Sequence, residues 1–156
     1  MTGFHDKARQ YALKLLSYRG RSERELEERL RKKGFTKTVT SSTINYLKDI
    51  GLVDDMSLAE TLKRYALTTK MLSQVGAKKY MLNRGIRSDI VNIIFVNEEN
   101  KDMENAGRLM DKKLKILGKY PAETVKRRLY NLLLRRGYSS ETITALFKKI
   151  NCTEEE

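Results

Sequence analysis

The chain has 156 residues, with 32 Lys and Arg against 20 Asp and Glu and a formal net charge of +12. Hydrophobic residues make up 40%, enough for one core or a few small ones, while nine Gly and a single Pro leave little room for a turn-rich β fold. One Cys and one His exclude an internal disulfide framework, a multi-Cys metal site and most His-based catalysis.

Taken in chain order, the predicted elements are all helical. Ala8, Tyr11, Ala12 and Leu15 form an i, i+3, i+4, i+7 stripe. Ser22-Glu23-Arg24-Glu25 has the form of a capping box, and a helix follows to Gly34. Gly34 suits a left-handed stop, with Phe35 folding back on the last turn and Thr36 capping the next helix. Asp54 and Asp55 read as caps of a further helix rather than as a metal or acid/base pair. The segment Ala77–Ile86 echoes Leu26–Phe35, with Gly85 as its stop and Ser88 as the next cap candidate. Gly118 and Pro121 separate two helices, and Val125, Leu129, Leu132 and Leu133 form the core stripe of the second. Tyr130 and Leu134 point off that stripe, toward an expected neighbouring unit. Gly137-Tyr138-Ser139 closes the third echo.

Gly34, Gly85 and Gly137 are 51 and 52 positions apart, so the chain reads as a tandem repeat. Expected limits are 1–55, 56–100 and 101–150, with 151–156 as a frayed acidic tail. Units of about 50 residues bury too little surface alone. The predicted fold is therefore all-α: three tandem three-helix repeats stacked into an elongated, bent, solenoid-like body. The densest apolar stretch, Ile90–Val96, falls short of the roughly 20 residues a membrane span needs, so a soluble cytoplasmic protein is expected.

These residues resemble a known family. Ala8–Phe35, with Tyr18-Arg19-Gly20-Arg21-Ser22-Glu23-Arg24-Glu25-Leu26, looks like the first repeat of bacterial RecX regulatory proteins. Tyr46–Asp55 followed by Ala59 resembles the link into the second repeat, and Lys126–Ser139 is similar to the third-repeat signature. The resemblance implies a regulator that contacts the RecA–DNA filament and mainly inhibits the recombinase. It implies no catalytic centre and no cofactor. A monomer is expected.

The charge distribution is compatible with such a partner. Residues 101–150 hold 13 basic and 5 acidic residues, against 12 and 8 in 1–55 and 7 and 4 in 56–100. Lys126, Arg127, Arg128, Arg135 and Arg136 crowd one helix and are the leading candidates for binding RecA or DNA, against the plainer reading of a solvated face. Lys78, Lys79, Arg84 and Arg87 are further candidates, having few acidic neighbours. Arg31, Lys32 and Lys33 are weaker candidates: Glu27 and Glu28 lie four residues before Arg31 and Lys32, so i,i+4 pairs explain much of that run. Tyr11, Tyr46 and Tyr130 fit packing positions better than base-stacking ones. An alternative function is a non-specific helical module for single- or double-stranded DNA that acts by competing for DNA. The helices after the glycine turns carry little charge, which argues against helix-turn-helix readout.

Overall fold

The computed structural model describes residues 2–154, with side chains described for residues 3–151. Among the described residues there are nine α-helices, one π-helical turn and no strand. The helices come in three sets. The first is α1 (Thr2–Tyr18), α2 (Glu23–Lys33) and α3 (Lys37–Asp49). The second is α4 (Asp55–Arg64), running on into the π-helical turn Tyr65–Thr69, then α5 (Gln74–Asn83) and α6 (Ser88–Phe95). The third is α7 (Asp102–Leu117), α8 (Ala122–Arg135) and α9 (Ser140–Glu154). Helix α9 takes in residues 151–154, which sequence reading assigned to a frayed tail, because no Gly or Pro stops it. Residues 155–156 and the Cys152 side chain lie outside the described residues.

The repeated glycine turns are one device used three times. The N–H groups of Phe35, Ile86 and Tyr138 each reach back to a carbonyl five residues earlier, on Leu30, Met81 and Leu133, at 3.1 Å. Gly34, Gly85 and Gly137 sit at φ of 110°, 84° and 91°. Two residues past each glycine comes the cap position. Thr36 accepts from the Val39 N–H at 3.3 Å and Ser139 from the Thr142 N–H at 3.1 Å. In the middle set that position belongs to Arg87, so Ser88 is the first helical residue and not the cap expected of it. The turn has fixed length, and the sequence places its serine one residue late.

The chain divides into two compact units, Met1–Leu62 with Met81–Val96, and Lys63–Tyr80 with Asn97–Glu156. In the first unit Ala8, Ala12 and Leu15 of α1 meet Leu26 and Leu30 of α2, Ile44 and Leu47 of α3, and Val53. Leu26 and Leu30 are wholly buried, each contributing about 1.5–3 kcal/mol. Tyr11 and Tyr46 pack on this core as expected, and the Arg9 guanidinium lies 3.8 Å over the Tyr46 ring. In the second unit Ala106, Leu109 and Met110 of α7 meet Leu129 and Leu133 of α8, Tyr138, and Ile143 and Leu146 of α9. Tyr130 packs on this same core, and Leu134 stays 42% exposed. Tyr130 thus belongs to the core of its own set, where the helix wheel pointed it toward a neighbouring unit. Tyr130 is long enough to lie back along α8 onto its own set.

Each unit also contains a seam between successive helix sets, built the same way twice. In the first, buried Ser22 caps α2 by accepting from the Glu25 N–H at 3.1 Å and donates its hydroxyl to the Arg84 carbonyl at 2.9 Å. The next N–H, of Glu23, donates to Asp55 Oδ1 at 3.0 Å. In the second, buried Ser73 caps α5 through the Gly76 N–H at 2.9 Å. Its own N–H donates to the Arg136 carbonyl at 3.0 Å, and the Gln74 N–H donates to Asp102 Oδ1 at 2.8 Å. A Cβ on Gly85 would stand 2.5 Å from Ser22 Oγ, and one on Gly137 2.6 Å from Ser73 Oγ. These two glycines are thus required both by left-handed backbone and by the approach of the serine. Of the paired aspartates, Asp54 caps its own helix through the Ser57 N–H at 3.1 Å, while Asp55 serves a helix 32 residues upstream.

Candidate partner-binding surface

The basic run on α8 does not form one patch. At about 100° per residue, Arg128, Asn131, Leu132 and Arg135 share the flank toward α7, and Glu123, Lys126, Arg127 and Tyr130 share the flank toward α9. Leu129 and Leu133 hold the inward face between them. Helix α8 is therefore a ridge with a groove on each side.

The α8/α9 groove, about 460 Å³, is lined by Glu123, Lys126, Arg127, Tyr130, Thr144, Phe147, Lys148 and Asn151. Lys126 and Arg127 are exposed at its edge. Tyr130 and Phe147 are half-buried against the core below. The α7/α8 groove, about 320 Å³, has Ile116, Leu117 and Leu132 among its lining, with Lys113, Arg128 and Arg135 around them. The Arg128 guanidinium lies 4.3 Å over the Tyr120 ring, which holds a long side chain in place. Arg128 and Arg135 are both exposed, and two helical turns separate them, about 10 Å.

Arg136, the last of the five, turns inward. It is half-buried and its guanidinium donates to the Lys70 carbonyl, across the second seam. Arg84 does the same at the first seam, donating to the Gly20 carbonyl at 3.2 Å and pairing with Glu25 at 3.2 Å. Each precedes a seam glycine, and the equivalence explains why a basic residue stands before Gly85 and Gly137. Lys79 and Arg87 are exposed, and Lys78 is half-buried. Arg87 pairs with Asp89 at 2.8 Å. The i,i+4 ion pair internal to α2 among the described residues is Arg24 with Glu28 at 3.2 Å, not the pairs of Arg31 and Lys32 expected from spacing. Lys33 lies over the Tyr11 ring at 5.4 Å.

Sequence reading missed Lys113, Ile116 and Lys148. Their signal was present: α7 places 113, 116 and 117 on one face, matching the stripe 128, 131, 132, 135 of α8. Only the pairing of the two helices makes them neighbours. Among the described residues no group of three or more His, Cys, Asp or Glu is placed to hold a metal ion. No described helix is long and apolar enough to cross a membrane.

Comparison with known proteins adds the family. Residues 8–47 match the family model for the RecX first three-helix domain, and residues 100–147 match that for the RecX third three-helix domain. The regulatory protein RecX of Amycolatopsis mediterranei is 30% identical over 135 residues, covering 86% of this chain and 77% of that protein. The regulatory protein RecX of Bacillus cereus is 29% identical over 146 residues, covering 92% of this chain and 54% of its own length. The chain thus spans about half the length of that relative. In fold it is similar to the crystal structure of RecX from Lactobacillus salivarius, with a TM-score of 0.74 at 23% identity over 97% of this chain and 99% of that one. A second crystal structure, of regulatory protein RecX, aligns with a TM-score of 0.69 at 18% identity, over 93% and 72%. Matches at both ends of the chain, and a relative at 30% identity over most of its length, lead to one conclusion: the chain belongs to the RecX family of regulatory proteins.

Proposed function

We propose that this protein regulates a RecA recombinase, mainly by inhibiting it, through contact with the RecA–DNA filament. The observation that carries the reading is the family match over both terminal three-helix domains. The charge excess of the third set supports it, since a filament of protein on DNA offers phosphates and carboxylates, and arginine takes both in bidentate fashion. Lys126, Arg127, Arg128 and Arg135 are the binding residues of this reading, with Lys78, Lys79 and Arg87 as outlying contributors. Arg84 and Arg136 act first by holding the seams.

The test is the DNA-dependent ATPase of RecA from the same organism, with this protein titrated in at two concentrations of single-stranded DNA. Inhibition well below one molecule per RecA, unmoved by added DNA, is the expected result. Inhibition that fades as DNA is added would replace the reading with competition for DNA. No effect at stoichiometric protein would reject both.

A further inference from the structure

The two flanks of α8 differ in chemistry, and the α7/α8 flank is the more specific. Its charged lining residues, Lys113, Arg128 and Arg135, are all cations, whereas the α8/α9 groove also carries Glu123. Its apolar lining is aliphatic: Ile116, Leu117 and Leu132. Ile116 is 59% exposed and adjoins Leu117 and Leu132, so it belongs to a small aliphatic strip rather than standing alone.

Nucleic acid alone does not account for this lining. Phosphates neutralise cations, but bases bind by stacking on aromatic faces, and an aliphatic strip offers them none. A protein segment uses both features: aliphatic side chains remove Ile116 from water, and carboxylates meet the guanidinium forks. The spacing is definite as well. Arg128 and Arg135 lie two turns apart on one helix face, so a helix laid along the groove meets both with carboxylates about seven residues apart.

From this we infer that the α7/α8 groove docks an acidic amphipathic helix of a partner protein, its aliphatic stripe on Ile116, Leu117 and Leu132 and its carboxylates on Lys113, Arg128 and Arg135. The inference deepens the proposed function and rests on its premise of a protein partner.

The probe is a synthetic helical peptide of about 20 residues, with Leu at i, i+3, i+4 and i+7 and Glu on its flanks. Binding to the whole chain is followed by fluorescence anisotropy. A control peptide has every Glu replaced by Lys, and oligothymidine serves as the nucleic-acid probe. The acidic peptide should bind and the basic one should not. Ile116→Ser, which keeps the charge, should weaken the peptide about tenfold and leave oligothymidine unchanged. Arg128→Gln with Arg135→Gln should weaken the peptide at least as much. Equal binding of both peptides, or peptide binding indifferent to Ile116→Ser, would overturn the assignment. So would oligothymidine displacing the peptide from the parent, which would give these cations to nucleic acid. If the peptide does not bind while RecA is still inhibited, the groove assignment falls and the regulatory reading stands. If the peptide binds as expected while RecA is unaffected, the groove stands and its partner is another protein.

Discussion

The two seams share a frame and differ in what fills it. Each has a buried serine at a helix start, an N–H given to an aspartate of the next helix set, and a glycine three ångströms or less from the serine's hydroxyl once a Cβ is imagined on it. Three residues after the serine they diverge. The first seam has Glu25, whose carboxylate gathers Arg19 at 2.7 Å, Arg84 at 3.2 Å and Arg21 at 3.8 Å. The second has Gly76, where a Cβ would stand 2.6 Å from the Arg136 carbonyl. There the backbones close directly, and the Tyr138 hydroxyl donates to the Met71 carbonyl at 2.8 Å. Met71 sits at φ 52°, a left-handed conformation costly for a residue with a side chain. The Tyr138 bond and packing of the Met71 side chain on the core of the second unit offset that cost. The same backbone arrangement is held once by a charge network and once by close approach.

The largest expected effect breaks the close-packed seam. Gly137→Val combines left-handed strain with overpacking against Ser73 and the Gly76 backbone, about 3 kcal/mol or more. Thermal melting checks this, and a variant within a degree of the parent would mean the seam opens at little cost. The loss should be indifferent to salt.

The ionic seam should answer differently. Glu25→Ala leaves Arg21 and Arg84 facing one another with side chains 9% and 20% exposed, for an expected loss of about 1–3 kcal/mol. Burial already holds the Arg21 guanidinium below its ordinary range, with Arg19 adding to the effect and Glu25 opposing it. Raising the salt should shrink the gap between variant and parent, since ions screen the attraction in one and the repulsion in the other. A gap that is constant from low to high salt would show Glu25 acting by packing alone.

The smallest effect sharpens the shared aspartate. Burial pushes the Asp55 carboxyl above the usual carboxylate range, against the opposing pull of the Glu23 N–H. A folded-state pKa raised above the unfolded one gives stability that is complete at low pH and is lost as pH rises through the folded value. Asp55→Asn keeps an oxygen acceptor for the Glu23 N–H and removes the charge. It should match the parent below pH about 4 and melt slightly higher at pH 7. Melting below the parent at pH 7 but not at pH 4 would mean the ionised carboxylate is the stabilising form.

Local chemistry was legible where it acts over short range. The Gly34, Gly85 and Gly137 stops, the Ser22, Thr36, Asp54 and Ser139 caps and the α1 and α8 core stripes all involve partners within about seven residues. Where reading failed, a distant partner had intervened. Glu25 completes half a capping box because three arginines claim its carboxylate. Arg136, counted with the binding cluster, is drawn to a carbonyl 66 residues away. The run from Lys126 to Arg135 was recognised as basic, but its division into two flanks required knowing which face of α8 the core takes.

The sequence alone determined that this is an all-helical repeat with a basic third member, because helix periodicity, capping and glycine stops are written in neighbouring residues. The tertiary structure decided which recurring positions of the repeat are seams and which are surface. Ser22 meets Arg84 across 62 residues and Glu23 meets Asp55 across 32, and such pairings leave no periodic trace in the chain. They exist only when one helix set lies against the next and buried polar groups must find partners there.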